Sequence, residues 1–424
     1  MKNKHTSPWA WIPTLYFAQG LPYVAVMTIS VIMYKRLGIS NTELAFYTGW
    51  LNLPWVIKPL WSPFIDLIKT KRWWIVTMQL LMGAGLAGIA FTIPTEHFFQ
   101  LTLAIFWLLA FSSATHDIAA DGFYMLALDS HQQALFVGIR STFYRIATIA
   151  GQGLLIMLAG RLEIVTDNIP YAWSITFFVL AGLFLGVWIY HKFILPHPDS
   201  DHAAKEVSAS TLLKEFFGTF ASFFQKKQAS IAILFMLLYR LPEAQLAKMC
   251  IPFFIDPIEE GGLGLTTEEI GFVQGTVGII GLTLGGILGG IAVARNGLKQ
   301  WLGPLVWAIC LPDLVYVYVS YVQPDSLYLI NICIFIEQFG YGFGFTAYML
   351  YLIYFADGEH KTAHYAICTA FMALGMMIPG MAAGWLQDQM GYNHFFIWIM
   401  ICCAVTFGVT ALLKIDPEFG KKKD

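Results

Sequence analysis

The stretch that decides the fold reads "FFQLTLAIFWLLAFSSATHDIAADGFYM" and covers residues 98–125. Its first eighteen residues, 98–115, carry no charge, and an apolar run of that length can lie inside a bilayer. The run then continues, without a turn signal, into His116, Asp117 and Asp121. An apolar helix with two aspartates four residues apart has to shelter them from lipid, and this requires partners elsewhere in the chain.

The composition is that of a membrane protein. Of the 424 residues, 57% are hydrophobic and 12% are charged, and the mean hydropathy is +0.63. A soluble protein of this length would carry about twice that charged fraction. Runs without charge that are long enough for a spanning helix recur at 7–34, 73–95, 270–294, 362–387 and 389–413. We therefore predict an all-α, polytopic membrane protein, and the net charge of -2 gives no reason to expect a nucleic-acid partner.

Hydropathy predicts twelve transmembrane helices. Their expected bounds are 9–34, 43–68, 73–94, 98–126, 134–160, 171–195, 228–254, 267–293, 300–321, 326–356, 362–387 and 393–414. The one long polar stretch follows the sixth span, and its second half places Leu and Phe at helical spacing, which predicts an amphipathic surface helix near 208–226. We expect a six-helix bundle over 1–195, a linker over 196–227 and a second six-helix bundle over 228–424.

The distribution of lysine and arginine predicts the orientation. With the N-terminus in the cytoplasm, seventeen loop and terminal Lys and Arg residues lie on the cytoplasmic side, and the other side receives Lys35, Arg36 and Arg161. Both termini and the linker are therefore expected to be cytoplasmic. The connection "GGILGGIAVARNGLKQW" (285–301) resembles the signature of the major facilitator superfamily, with Ala294 where an acid usually stands. Two six-helix halves form the major facilitator fold.

Ten charged residues lie inside the predicted spans and away from the span ends. They are Lys58, Asp117, Asp121, Arg140, Arg145, Arg240, Glu243, Lys248, Asp313 and Glu337. A charge at the bilayer centre costs at least about 2.5–3.5 kcal/mol on insertion scales, so such residues face water or one another and are functional candidates. Structural ion pairing between helices is the alternative reading.

Asp117 and Asp121 lie on one face of the fourth span, because positions i and i+4 share a face. Arg145 on the fifth span is the expected counter-ion, and Arg140 lies nearer the cytoplasmic end. The pair is expected to serve either proton coupling and gating or direct substrate contact. Repulsion between the two acids and their desolvation both favour the protonated form, as a proton-coupled carrier requires.

The second half carries its own acids. Arg240 and Glu243 are three residues apart in "LLYRLPEAQLAK", where Pro242 is expected to kink the seventh span. Glu337 lies in the middle of the tenth span. Because no nucleotide-binding motif or dedicated sodium site is evident, we predict that a proton gradient drives transport. The predicted proton-coupling acids are Asp117, Asp121, Glu243 and Glu337.

Polar and aromatic side chains at similar depth predict a substrate cavity. Its expected lining is Tyr16, Gln19, Tyr144, Arg145, Arg240, Gln274, Glu337 and Gln338. Aromatic faces with amide neighbours suit sugar rings, and arginines suit carboxylates. These residue types favour an anionic solute that is glycan-like or bears a peptide.

Several motifs, in order, resemble those of the AmpG-type muropeptide permeases of the major facilitator superfamily. They are "FAQGLPY" (17–23), "KPLWSPFID" (58–66), "SATHDIAADG" (113–122), "YR" (144–145), "LLYRLPEA" (237–244), "FIEQFGYG" (335–342), "YAICTAFMALG" (365–375) and "GMAAGWL" (380–386). Two departures from the family pattern are His116, where relatives often have glutamine, and Glu243, where an aspartate is common. We also expect none of the extra C-terminal spans that some members carry.

The resemblance implies proton-driven import of anhydro-muropeptides across the bacterial inner membrane for cell-wall recycling. It singles out functional residues at Gly20, His116, Asp117, Asp121, Arg145, Arg240, Glu243 and Glu337, among which Gly20 and His116 are expected to bind the substrate. Because distant relatives carry acetyl-CoA, a carrier of another anionic solute, such as a CoA thioester or a sugar, is the alternative.

A membrane-embedded enzyme or sensor is the alternative from another class. The sequence has no HExxH, no GxSxG and no phosphate-cradling loop, and the six cysteines show no ligand spacing. We therefore expect no catalytic activity, no cofactor and no metal site. The expected partners are the glycan-peptide substrate, protons and the lipid bilayer, with the protein acting as a monomer.

Overall fold

The computed structural model describes residues 6–128, 130–198, 201, 209–358 and 361–420. Most of the first half of the predicted linker therefore lies outside the described residues. In chain order the helices are α1 (Pro8–Arg36), α2 (Asn41–Trp50), α3 (Leu53–Ile68), α4 (Lys71–Thr92), α5 (Phe98–Ala127), α6 (130–166), α7 (Ile169–Ile194), α8 (Ala209–Phe224), α9 (Ala229–Ile255), α10 (Thr267–Asn296), α11 (Leu298–Val322), α12 (Leu327–Ala356) and α13 (Lys361–Ala411).

These helices confirm the all-α membrane fold and fit the twelve predicted spans. Ten segments of the described chain are long and apolar enough to cross a bilayer. The predicted second span is divided between α2 and α3, which are separated by Leu51 and Asn52. The predicted eleventh and twelfth spans run together as α13, in which Gly391 has a non-helical backbone with φ 70°. Helix α8 lies where the surface helix was predicted.

Polar residues mark the start of several helices. The side chain of Thr70 accepts a hydrogen bond from the backbone N–H of Trp73 at the start of α4, and Asn168 does the same for Tyr171 at the start of α7. Thr266 and Glu269 form a capping box that begins α10. Caps of this kind satisfy backbone donors that a helix end leaves without partners.

The chain forms two compact units. Unit 1 comprises Met1–Leu37 and Ile57–Glu215, and unit 2 comprises Gly38–Val56 and Phe216–Asp424. Helix α2 thus belongs to unit 2, although the chain enters it directly after α1. Its packing explains this assignment, because a Cβ atom at Gly384 of α13 would lie 2.1 Å from the carbonyl oxygen of Asn41. Only glycine permits so close an approach of the two backbones.

Within unit 2, a glycine stripe joins α10 to α12. Gly281, Gly285 and Gly289 are spaced by four residues and therefore lie on one face of α10. Cβ atoms at these positions would lie 2.8, 2.0 and 2.7 Å from the carbonyl oxygens of successive Phe residues of α12, Phe335, Phe339 and Phe343. In a membrane the hydrophobic effect does not drive helices together, and stripes of small residues allow the close packing that does.

The stripe predicts a contrast between two glycines of α10. Gly285→Ala forces its methyl group onto a backbone oxygen, and we expect a loss of roughly 1–3 kcal/mol, the usual cost of overpacking. Gly290→Ala is the matched control, because nothing lies within 4 Å of its Cβ position. The measurement is the thermal unfolding midpoint of the purified protein in detergent. Equal midpoints for the two variants would contradict the packing described here.

Candidate functional site

In unit 1, the charged cluster is built from α1, α5 and α6. The hydroxyl of Tyr16 donates a hydrogen bond to Asp121 Oδ1 at 3.1 Å, and an Arg140 Nη atom lies 3.4 Å from the same oxygen. The Arg140 guanidinium also lies over the rings of Tyr16 and Tyr124, 4.7 and 5.1 Å from their centroids. The Asp121 carboxylate is therefore held by one phenol and one arginine. The arginine is itself held by cation–π contacts with two aromatic rings.

Arg140, and not Arg145, is the arginine that pairs with Asp121. For Asp121 this differs from the expected counter-ion, Arg145, whose side chain is exposed; a pairing of Arg145 with Asp117 stays a prediction. The reason is helical geometry. Arg140, Tyr144 and Ala147 lie on the face of α6 that packs on α1, and Arg145 is displaced from Tyr144 by about 100° around the axis. Asp117, one turn before Asp121, is half-buried.

Gly20 and Gln19 occupy neighbouring positions on α1. A Cβ atom at Gly20 would lie 2.8 Å from Ala147 Cβ and 3.0 Å from the backbone oxygen of Tyr144, so Gly20 permits close packing of α1 on α6. Gln19 is buried, and its Oε1 atom accepts no hydrogen bond from the described residues. A buried amide oxygen without a donor is costly, which makes Gln19 available to a bound polar group.

His116 belongs to a buried polar chain that crosses four helices of unit 1. His116 Nε2 lies 3.0 Å from Gln79 Nε2, Gln79 Oε1 lies 3.0 Å from His191 Nδ1, and His191 Nε2 lies 2.9 Å from Thr14 Oγ1. His116 is 1% exposed and is therefore directed into the helix packing, and its predicted part in substrate binding stays a prediction. It is placed to position α5, which carries Asp117 and Asp121.

In unit 2, Arg240 and Glu243 form a closed ion pair at an interruption of α9. The helix is interrupted at Tyr239 and Arg240, two residues before Pro242, where the kink was predicted. Arg240 donates to both carboxylate oxygens of Glu243 at 2.5 and 2.6 Å and to the Tyr341 hydroxyl at 2.7 Å. Both residues are buried. Glu243 lies in the first helical turn after the break, where a negative charge is stabilised by the helix dipole.

Glu337 has a different environment. It is 3% exposed, and its Oε2 atom accepts hydrogen bonds from Gln338 Nε2 at 3.0 Å and from the Tyr316 hydroxyl at 3.4 Å. Across the described residues, no ion pair includes Glu337. Side-chain atoms of Gln274 and Gln338 both approach Gly278, at 3.5 and 3.4 Å from its Cβ position. The structure therefore brings the predicted residues Gln274, Glu337 and Gln338 into one region of unit 2.

A polar cluster that the sequence analysis missed lies in unit 2. Asn41 donates to Gln387 Oε1 at 2.7 Å, and the Tyr392 hydroxyl donates to Asp256 Oδ2 at 2.5 Å and lies 3.1 Å from Asn41 Nδ2. All four residues are buried. Each lies at or beyond the end of a predicted span, where polar residues are ordinary, so no sequence signal distinguished them from loop residues.

The helical fold, together with the family and the relatives given below, defines the class of this chain as a multi-pass α-helical membrane transporter. The fold is similar to those of solved transporters. A mutant of the nucleoside transporter NupG has a TM-score of 0.73 at 14% identity, and the match covers 95% of this chain and 99% of that one. A D-xylose-proton symporter has a TM-score of 0.71 at 12% identity, and the match covers 98% of both chains. They confirm the predicted major facilitator fold.

The model of the BT1 family matches residues 17–289, and the chain belongs to this family. Two relatives confirm the resemblance to AmpG-type permeases. The putative transporter AmpG 4 of Rickettsia conorii is 27% identical over 404 residues, which cover 91% of this chain and 92% of that protein. The anhydromuropeptide permease of Escherichia coli K12 is 25% identical over 402 residues, which cover 91% of this chain and 75% of that protein.

The closed ion pair predicts a non-additive response. Glu243→Gln leaves the buried Arg240 charge without its partner, and we expect destabilisation of roughly 3–5 kcal/mol. The double variant Arg240→Met, Glu243→Met removes both charges and should recover most of that loss, because apolar replacement of a buried pair is often neutral. The measurement is thermal unfolding in detergent, with Glu259→Gln in an exposed segment as control. A single variant as stable as the control would show that the pair is not closed.

Proposed function

We propose that this protein is a proton-coupled secondary transporter that imports anhydro-muropeptides into the cytoplasm for cell-wall recycling. The proposed substrate follows the name of the Escherichia coli relative, an anhydromuropeptide permease that is 25% identical to this chain. The observation that carries the proposed coupling is Glu337, a buried carboxyl whose described partners are a phenol and an amide. An ionised carboxylate is costly in such a place, so this group is suited to bind a proton and release it during transport.

The four predicted acids differ in how firmly they are held. Glu243 is fixed by two short hydrogen bonds from Arg240 and is the weakest candidate for proton exchange. Asp121 is held by one longer contact to Arg140 and by Tyr16, and its side chain is 43% exposed. Protonation of Asp121 would free Arg140, and an approaching anion could compete for the same guanidinium. Asp117, one turn away, is proposed to act with Asp121.

Substrate contacts are proposed on both units. In unit 1 they are Tyr16, Gln19, Tyr144 and Arg145, to which the structure adds Arg140. In unit 2 they are Arg240, Gln274 and Gln338. Arginine binds carboxylates in a bidentate manner, and aromatic faces stack on sugar rings, so this set suits a substrate with both groups. Gly20 and His116 remain proposed substrate-binding residues, and their packing also suits them to position α1 and α5.

The proposed setting is the inner membrane of a bacterium, with both termini in the cytoplasm, as the excess of Lys and Arg on that side supports. We propose that the protein acts as a monomer and catalyses no chemical reaction. Its driving force is the inward flow of protons, because nothing in the sequence resembles a nucleotide-binding loop.

The first test separates coupling from folding. In proteoliposomes with labelled anhydro-muropeptide, we expect an imposed inward proton gradient to drive accumulation. Glu337→Gln should abolish that accumulation and yet preserve exchange of labelled for unlabelled substrate, because exchange returns the carrier without net proton movement. Glu259→Gln is the control.

Accumulation that follows a sodium gradient alone, or that survives Glu337→Gln, would contradict Glu337 as the coupling site. Transport of a CoA thioester or a free sugar in place of the muropeptide would contradict the proposed substrate but would agree with the proposed transporter function.

The second test concerns unit 1. The double variant Asp117→Asn, Asp121→Asn removes both negative charges and leaves Arg140 without an acid. We expect uptake to fall by at least about tenfold, equivalent to ~1.4 kcal/mol, with loss of exchange as well if the pair also orders the substrate site. The measurement is the initial rate of uptake at matched protein content. An unimpaired rate would show that the pair is structural.

A further inference from the structure

A cavity of about 470 Å³ lies in unit 1, where α4 begins and α7 ends. It is separate from the charged cluster around Asp121. Its polar end is formed by Arg72, Lys192, His197 and Asp201. Its other wall is formed by apolar and aromatic side chains, chiefly Trp73, Val76, Leu80 and Trp188. The cavity is therefore amphipathic along the direction of the helices.

The polar end keeps a positive charge. Arg72 donates from Nε to the backbone oxygen of Leu195 at 3.2 Å and from a terminal nitrogen to that of Lys192, and both acceptors are neutral. Asp201 is held by the backbone N–H groups of Lys71 and Arg72, at 2.7 and 3.0 Å. These donors at the start of α4 offset its negative charge. Among the described residues that line this end, the positive charges of Arg72 and Lys192 therefore outnumber the one negative charge of Asp201, which also lies near Arg72.

Two further groups complete the polar end. The Lys192 Nζ atom lies 5.2 Å from the centroid of the Trp188 ring, which holds the ammonium by a cation–π contact. Partial burial, with Arg72 nearby, lowers the pKa of His197, which lies beyond the end of α7. His197 is therefore neutral near pH 7 and offers a hydrogen bond in place of a third charge.

The apolar wall extends away from these charges along α4. Trp73, Val76 and Leu80 are spaced by three and four residues and share one face, and Trp73 and Leu80 are exposed. Leu80 lies about 12 Å along the helix from Arg72, at ~1.5 Å per residue. In a spanning helix, that path leads from the headgroup level into the acyl region, and tryptophan is typical of the boundary.

We propose that this cavity binds an anionic phospholipid, with its phosphate at Arg72 and Lys192 and an acyl chain along Val76 and Leu80. Charge complementarity selects the negative headgroup, and the adjoining exposed apolar face selects a lipid over a soluble anion. Basic pockets between transmembrane helices are suited to such headgroups. The lipid in this position would bridge α4 and α7.

The test is lipid binding to the purified full-length chain by native mass spectrometry, with phosphatidylglycerol, cardiolipin and phosphatidylcholine as probes. We expect retention of the two anionic lipids. Lys192→Gln should weaken that retention by about fivefold, and Trp188→Leu should weaken it as well. Lys299→Gln, an exposed lysine at the start of α11 and outside the cavity, is the matched control.

Two further arms make the outcome decisive. Inorganic phosphate and glycerophosphoglycerol carry the headgroup chemistry without acyl chains, and we expect neither to displace the lipid at equal concentration. Displacement by either compound would show that the cavity binds a soluble anion, and the proposal of a lipid ligand would be wrong. Equal retention of phosphatidylcholine, or an equal effect of Lys192→Gln and Lys299→Gln, would overturn the proposal. Thermal unfolding without added lipid checks that Lys192→Gln and Trp188→Leu remain folded.

Discussion

The cost of placing charge in hydrocarbon organises both units. Each charged side chain inside a span must find a partner within the chain or an aqueous opening, because lipid offers neither. In unit 1, Asp121 meets a phenol and an arginine from two other helices. In unit 2, Arg240 and Glu243 satisfy each other within one helix. These pairings fix which faces of α1, α5, α6 and α9 turn inward.

Backbone polar groups without partners are also costly in hydrocarbon. The segments of this chain in which the α-helix is interrupted carry polar side chains. Two π-helical segments of unit 1, Ala25–Ile29 and Ala150–Leu155, are joined by a hydrogen bond of 3.0 Å from Gln152 Nε2 to Thr28 Oγ1. In unit 2, the π-helical segment Val273–Gly278 carries Gln274. Single π-helical turns inside α-helices are frequent at functional sites. Here the π-helical turns carry the side-chain amides of Gln152 and Gln274. In an uninterrupted α-helix these amides would point in a different direction.

The span bounds could be predicted because charge-free runs are a one-dimensional signal. The partners of each charge could not, because they depend on rotation about the helix axis. Arg140 and Arg145 are five residues apart, and the sequence favoured Arg145 as the counter-ion, yet Arg140 is the one that lies on the face of α6 toward Tyr16. The environment of His116 likewise depends on Gln79 and His191, which lie on other spans and belong to none of the motifs named above. The glycine stripe of α10 was visible in the sequence, but its partner helix was not.

The two ion pairs differ in a way that bears on what an anionic substrate can displace. The side chains of Arg140 and Asp121 are 30% and 43% exposed, whereas those of Arg240 and Glu243 are 9% and 12% exposed. Exposed pairs contribute about 0–1 kcal/mol, and separating a buried pair costs roughly 3–5 kcal/mol. A carboxylate from solution can therefore compete with Asp121 for Arg140 at little cost, but it cannot take Arg240 from Glu243 without replacing an equivalent interaction. Of the arginines in these two ion pairs, Arg140 is therefore the one that the proposed anionic substrate could engage at lower cost, whereas Arg240, also proposed as a substrate contact, is held at the helix break beside Tyr341.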